Sequence, residues 1–200
     1  RVTSALSVGD RLGAFRVRVG LLRNSYTVEP GVYALGSPDA DSDVLVCANY
    51  KLSFDVLRAA LAGRNFWILV LDTRGINVWC AAGKGTFGTD ELTHRIRAVR
   101  LEKLVSHRRV IVPQLGAPGV AAHEVKARTG FKVVYGPVEA ADIPAFVDAG
   151  YRATKDMRRK RFPLKDRVVL IPIEFKAAAR WWLLFTLAFS AVGGVVGSGD

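Results

Sequence analysis

The stretch Phe66-Trp67-Ile68-Leu69-Val70-Leu71 (FWILVL) is six apolar residues with a polar Asn65 before it and Asp72 after it. A continuous apolar run of that length, rich in aromatic and β-branched side chains, reads as a strand covered on both faces, as in parallel sheets. Upstream, Val44–Ala48 (VLVCA) has the same character. Downstream, residues 110–112 form a short strand signal ending at Pro113, and 131–135 (FKVVY) form another. Helix signals fill the gaps. Ser53 can cap a helix over 54–62 with Gly63 as its stop, and Thr89-Asp90-Glu91 opens one that runs to about His107 with a break near Leu101. Residues 120–128 read as a helix stopped by Gly130, Pro144 sits in the first turn of a short helix ending at Gly150, and 168–173 reads as a last strand.

This alternation predicts an α/β fold: an open, mostly parallel, Rossmann-like sheet with helices on both faces. Such sheets bind ligands beyond the carboxyl ends of their strands. Those ends read Asn49-Tyr50, Asp72-Thr73-Arg74-Gly75, Gln114 through Gly119, and Gly136-Pro137. Turn residues and small polar groups at four ends suggest a shared floor for a flat, polar-edged ligand, with Asn49, Asp72, Thr73, Gln114, Gly116, Gly119 and Gly136 as candidate contacts.

The chain has 200 residues, half of them hydrophobic, with 29 Lys and Arg against 18 Asp and Glu, a formal +11. Two cysteines exclude a disulfide framework, and three histidines leave little for a multi-ligand zinc site. The charge is concentrated: residues 152–180 hold ten Lys/Arg and three acids, so +7 of the +11 lies there and +4 remains elsewhere. The rest carries no basic stripe with interleaved aromatics, so no nucleic-acid partner is expected. Residues 181–199 are then uncharged and begin with Trp181-Trp182. Basic residues ahead of an apolar run flanked by tryptophan predict a first transmembrane helix with its basic side cytoplasmic. The expected organisation is a ligand-binding α/β domain over 1–165 and a basic juxtamembrane segment with the start of a transmembrane region over 166–200. It is read as a fragment of a longer chain, at the inner membrane and facing the cytoplasm.

Between Gly75 and Gly88 lies GINVWCAAGKGTFG. Gly83, Gly85 and Gly88 match a dinucleotide pattern, but Gly83 falls twelve residues after Leu71 rather than in the strand-to-helix turn. The phosphate-binding P-loop fails too, since Lys84 is followed by Gly85. Cys80 is more informative. Asn77 is a good N-cap for a short helix over Val78, Trp79, Cys80, Ala81 and Ala82, stopped at Gly83. Near a helix start a thiolate is favoured, and Lys84 one turn on adds positive charge. With no other Cys or His nearby, a metal bound by this soft ligand must bring its remaining ligands, as in a macrocycle. Spacing alone equally allows a small packing cysteine. His94, His107 and His123 read as solvated or hydrogen-bonded rather than ligating.

The run from Asn77 to Lys84 resembles the signature of the mercury-methylating corrinoid proteins. So do Val28 to Ala34, Ala48 to Asp55, Leu69 to Thr73, Ser106-His107-Arg108-Arg109, Val112 to Val120, and Tyr135 to Val138. Cys47 departs from the threonine of that pattern. The resemblance implies a base-off, cobalamin-type corrinoid with Cys80 as the lower axial cobalt ligand, held on the helix over 77–83, and a methyltransferase activity that passes a cobalt-borne methyl group to Hg(II). It further implies contacts from Asn77, Val78, Trp79, Ala81, Ala82, Gly83, Lys84, Gly85 and Thr86. Its implied partners are a small ferredoxin with two 4Fe–4S clusters and a methyl donor linked to methyltetrahydrofolate. Trp79 suits packing against the ring, shielding cobalt or filling the core; Asp72 and Thr73 suit bonding corrinoid amides or shaping a turn. Residues 45–54 and 69–75 are also similar to the methyl-carrying corrinoid protein of the acetyl-CoA pathway, whose pattern lacks the cap-helix cysteine. A membrane-tethered binding module with a structural Cys80 is the reading from another class.

Overall fold

The computed structural model describes residues 1–21, 25–161, 163–168 and 171–197. Its centre is a five-stranded sheet in the order β1-β3-β2-β4-β5. Here β1 is Gly31–Leu35, β2 Val44–Ala48, β3 Phe66–Leu71, β4 Arg109–Val112 and β5 Lys132–Tyr135. Strands β2 to β5 run parallel, and β1 closes the β3 edge antiparallel, with Tyr33 opposite Ile68. The sheet is mixed but mostly parallel, as expected; β1 is the strand that was not expected.

Alternation along the strands divides the core into two layers. Val44, Val46, Ala48, Leu69 and Leu71 point to one face, where they meet Phe87, Leu92, Ile96 and Val125. Leu45, Cys47, Ile68 and Val70 point to the other, where they meet Phe54, Leu57, Ile143 and Phe146. The first face is covered by helices α3 (Val78–Gly83), α4 (Thr89–Ala98) and α6 (Ala122–Thr129), the second by α2 (Lys51–Ala60) and α7 (Ile143–Asp148). Doubly covered strands need no polar face, which is why β2 is buried at every position.

Several boundaries differ from expectation for local reasons. Helix α2 starts at Lys51, with Tyr50 in the extended cap position, so Ser53 lies in its first turn instead of capping it. Arg100 at φ +50° splits α4 from α5 (Leu101–Leu104), one residue before the expected break. Thr89 is the first residue of α4 and not its cap; its Oγ1 accepts the N–H of Ala121 at 2.8 Å. The expected strand over 168–173 is corrected. Val168 ends α8 (Leu164–Val168), residues 171–173 open α9 (Ile171–Gly197), and 169 and 170 lie outside the described residues. Pro172 suits a helix's first turn, where its missing N–H costs nothing, better than a strand ladder.

The chain divides into two compact units, residues 1–13 with 24–160, and 14–23 with 161–200. The sheet and its helices lie in the first. In the second, α9 exposes Trp181, Trp182, Phe185, Leu187 and Phe189. Among the described residues no helix is long and apolar enough to cross a membrane, which corrects the expected transmembrane span. Glu174, Lys176 and Arg180 occupy the first part of α9, so the uninterrupted uncharged stretch of the helix begins only at Trp181. The end of the expected run, 198–199, lies outside the described residues.

Candidate functional site

Strand β2 has β3 on one side and β4 on the other, so the strand order reverses there. Such a switch point opens a crevice at the strands' carboxyl ends. A groove of about 420 Å³ lies at this place, within the range of small-molecule sites. Cys47 of β2 and Ile111 of β4 lie in its floor, Tyr50 and Ser53 come from the start of α2, and Gly136-Pro137 from the end of β5. Asn77, Val78 and Trp79 of the α3 region complete its wall.

Six residues make a marginal helix on their own, so α3 depends on its ends and its seat. Asn77 is extended (φ −64°, ψ 161°), and its Oδ1 accepts the Cys80 N–H at 2.9 Å, the cap expected from the sequence. At the other end the Lys84 N–H donates to the Cys80 carbonyl at 3.1 Å, and Gly85 takes the left-handed turn at φ +78°. Gly83, expected as the stop, is the last helical residue. Ala81 and Ala82 are buried and seat the helix, while Trp79, Cys80, Gly83, Lys84 and Gly85 are exposed. The N–H groups of Thr86 and Phe87 both return to the Ala81 carbonyl, at 3.0 and 3.1 Å, folding the chain back under α3.

Phe87 is fully buried in that fold-back and fixes the spacing to the 3-10 turn over Gln114–Gly119. A Cβ at Gly116 would strike the Phe87 ring, and one at Gly119 would strike the Phe87 carbonyl. Both glycines therefore let backbone and ring approach closely under α3. Gly88 does likewise against the Gly85 carbonyl, where a Cβ would come within 2.9 Å. The three glycines of the dinucleotide-like pattern thus shape the α3–α4 connection and follow no strand.

Asn49 organises the loop that leads to α3. Its Oδ1 accepts from the Thr73 N–H at 3.1 Å, the Gly75 N–H at 3.0 Å and the Thr73 hydroxyl at 2.8 Å. Its Nδ2 donates to Asp72 Oδ1 at 3.3 Å, and the Asp72 N–H is held by Glu91 Oε1 at 2.8 Å. Asn49 and Thr73 are buried and Asp72 is exposed. Gln114 accepts from Arg158 at 2.9 Å, and Glu139 accepts from Lys160 at 2.6 Å where both border the groove.

Of the expected site residues, Asn77, Val78, Trp79 and Gly136 thus share the groove, and Cys80 and Lys84 stand exposed on the adjoining helix. Asn49, Asp72 and Thr73 form the supporting loop, and Ala81, Ala82, Gly116 and Gly119 form the packing beneath. Glu139 and Lys160 were not singled out in the sequence, Tyr50 was named only as a strand end, and Ser53 only as a helix cap. His107 is hydrogen-bonded to the Ser42 carbonyl at 3.0 Å, and His94 and His123 are exposed. Among the described residues no group of three His, Cys, Asp or Glu could hold a metal. Burial pushes the Cys47 thiol up to about 12.

Residues 22–147 match the family model described as CO dehydrogenase/acetyl-CoA synthase delta subunit. Similar curated proteins are acetyl-CoA decarbonylase/synthase complex gamma subunits. That of Methanopyrus kandleri is 30% identical over 128 residues, 63% of this chain and 27% of the relative. That of Archaeoglobus fulgidus is 29% identical over 131 residues, 64% and 27%. That of Methanothermobacter thermautotrophicus is 30% identical over 152 residues, 74% and 33%. The chain therefore spans about a third or less of the length of these relatives.

Proposed function

The chain belongs to the CO dehydrogenase/acetyl-CoA synthase delta subunit family, and from that premise we propose that it is a corrinoid-dependent methyl-transfer protein in which the Cys80 thiolate would hold the cobalt. The observation that carries this reading is an exposed Cys80 on a short, Asn77-capped helix beside the groove at the sheet's switch point. The donor set suits a macrocycle. Cys80 offers one soft ligand with no cluster around it, so the remaining ligands must come with the metal.

The chain's own residues bind and orient. Asn77 holds the start of α3, Ala81 and Ala82 fix its seat, and Phe87 with Gly116 and Gly119 sets its height above the strands. Val78 and Trp79 turn apolar surface toward the groove. The proposed contacts from Gly83, Lys84, Gly85 and Thr86 lie along the same edge. When bound, a corrinoid would supply methyl-transfer chemistry at cobalt, and the Cys80 thiolate would be the donor through which the chain tunes that chemistry toward an acceptor such as Hg(II).

Two acceptors are consistent with this role. The family and the gamma-subunit relatives support a methyl carrier of acetyl-CoA-type one-carbon metabolism, with partner proteins of that pathway. The Cys80 presentation and the run from Asn77 to Lys84 favour the finer reading, methyl transfer to Hg(II) with a reducing ferredoxin and a methyltetrahydrofolate-linked donor. Localisation at the cytoplasmic face of the inner membrane belongs to the same proposal and rests on the basic stretch over 152–180 and the exposed tryptophans of α9. The test is reconstitution with corrinoid, a labelled methyl donor and Hg(II), with and without the ferredoxin. Methylmercury formed by the native protein and lost in Cys80→Ala supports the Hg(II) reading. Label delivered only to an acetyl-CoA synthase partner assigns the first. A cobalt spectrum unchanged by Cys80→Ala removes the thiolate ligand.

A further inference from the structure

Helix α1 (Val8–Arg18) has no part in the groove and lies ahead of the residues that match the family model. Its start is tied by a reciprocal cap. Ser7 Oγ accepts the Asp10 N–H at 3.1 Å, and Asp10 Oδ2 accepts the Ser7 N–H at 2.9 Å and its hydroxyl at 2.8 Å. One face of the helix is covered. Asp10 accepts from Lys51 Nζ at 2.6 Å and from Arg58 Nη2 at 2.7 Å, a Cβ at Gly13 would strike the Tyr26 ring, and Val17 is buried. Positions 10, 13 and 17 share one side of a helix.

The opposite face is open to solvent and apolar. Val8, Leu12 and Phe15, at i, i+4 and i+7, are 83%, 47% and 62% exposed. Arg11 and Arg18 run along one edge of this stripe and Arg16 lies on the other, all three exposed. Asp10 is the only acid among residues 1–18, and it is committed inward to Lys51 and Arg58. The outer face of α1 therefore carries three positive charges, no negative one, and three apolar side chains between them.

We propose that α1 docks on an anionic phospholipid surface, with Val8, Leu12 and Phe15 entering the acyl boundary and Arg11, Arg16 and Arg18 meeting lipid phosphates. An apolar stripe edged by arginines is the pattern of helices that lie in the plane of a bilayer. The apolar stems of arginine reach along such a stripe while the guanidinium groups stay among the headgroups, where they suit phosphate oxygens. A second copy of the chain fits the face less well. Three side chains fall far short of the about 800 Å² per partner of a stable interface, and arginine edges would meet arginine edges. The inference rests on the membrane localisation proposed above, for which it names a lipid-facing surface, and does not depend on the reading of Cys80.

The test is flotation of the full chain with vesicles of equal parts phosphatidylglycerol and phosphatidylcholine, and with vesicles of phosphatidylcholine alone, with amide exchange read over residues 8–18. Tighter binding to the mixed vesicles is expected, with exchange over α1 slowed on them. Phe15→Ser and Leu12→Ser, both at exposed positions, should each weaken that binding by about tenfold, and Arg11→Gln by about fivefold. Vesicle binding that these variants retain in full, or exchange over α1 that vesicles leave unchanged, overturns the proposal while leaving the localisation to α9 and the basic stretch. Absence of binding to either vesicle overturns both. Self-association without lipid that Phe15→Ser abolishes would overturn it too, assigning the stripe to a second copy.

Discussion

The two cysteines of this chain sit on adjoining parts of one site and are opposites. Cys47 is on β2, 4% exposed, in the floor of the groove, and burial alone pushes its thiol up to about 12. Cys80 is exposed on α3, and its amide is held by the Asn77 cap. The first is a small apolar filler between parallel strands; the second stands outside the core on a capped platform and is the proposed ligand. What separates them is the element each sits on. A central strand removes a side chain from water on both faces of the sheet, whereas a short capped helix at the strand ends exposes one.

That contrast is broken most directly by exchanging the roles. Cys80→Ala should abolish the thiolate signature in the cobalt spectrum of the corrinoid-loaded protein and the methyl transfer that depends on it, while Cys47→Ala should retain both. Loss of the signature in Cys47→Ala with Cys80 intact would reverse the assignment. Alkylation of the folded protein should modify Cys80 faster than Cys47 by on the order of a hundredfold or more, and mass mapping after brief iodoacetamide treatment reads the ratio.

The platform itself is the next target. Phe87→Ala removes the fully buried ring that spaces α3 from the 3-10 turn at Gly116 and Gly119. A cost of about 3–5 kcal/mol is expected for a buried Phe, measured as a fall in the urea midpoint. Amide exchange over 78–83 should rise more than exchange in β2 and β3. Equal loosening of the strand carrying Cys47 would mean that the two regions are not mechanically distinct.

The Cys47 environment gives a smaller effect at alkaline pH. Its folded pKa is raised, from about 9 to about 12, so the protonated thiol is favoured in the folded state. The corresponding stabilisation is complete below the unfolded thiol's pKa and is lost as pH rises from there through the folded value. Native protein should therefore lose more stability between pH 9 and 12 than Cys47→Ala does, by urea denaturation across that window. Parallel pH profiles for the two would show that ionisation of Cys47 is not linked to folding.

How much of this could be read in the sequence follows from how local each cause is. FWILVL and VLVCA gave β3 and β2 at their observed bounds because continuous apolar runs report burial directly. Helix α3 was legible because Asn77 and the helix it caps are adjacent in sequence. β1 was missed because its five residues are mostly half-buried and show no clean period. Asn49 was identified as a contact but not as the residue that organises the 72–75 loop, since its partners lie 23 to 26 residues away. Gly116 and Gly119 carried a ligand reading because nothing local reveals that Phe87, about thirty residues earlier, packs against them. The uncharged run after Arg180 carried the opposite hazard: its composition suits a membrane, but the helix containing it starts ten residues before the run, among charges.

The smallest expected effect is also the sharpest test of the platform. Asn77→Ala removes the one side-chain bond to the first turn of α3, and N-cap losses of this kind cost about 1 kcal/mol. Global stability should fall by no more than that, because Ala81 and Ala82 still anchor the helix in the core. Amide exchange at Cys80 should increase and corrinoid retention should decline, since the thiol then samples more positions relative to the groove. Asn77→Ser supplies another side-chain oxygen for the Cys80 N–H and should recover most of both. Loss of retention with unchanged exchange at Cys80 would instead make Asn77 a direct contact, consistent with its place in the groove wall. The two measurements together thus decide whether the asparagine acts on the ligand through the helix or on the ligand itself.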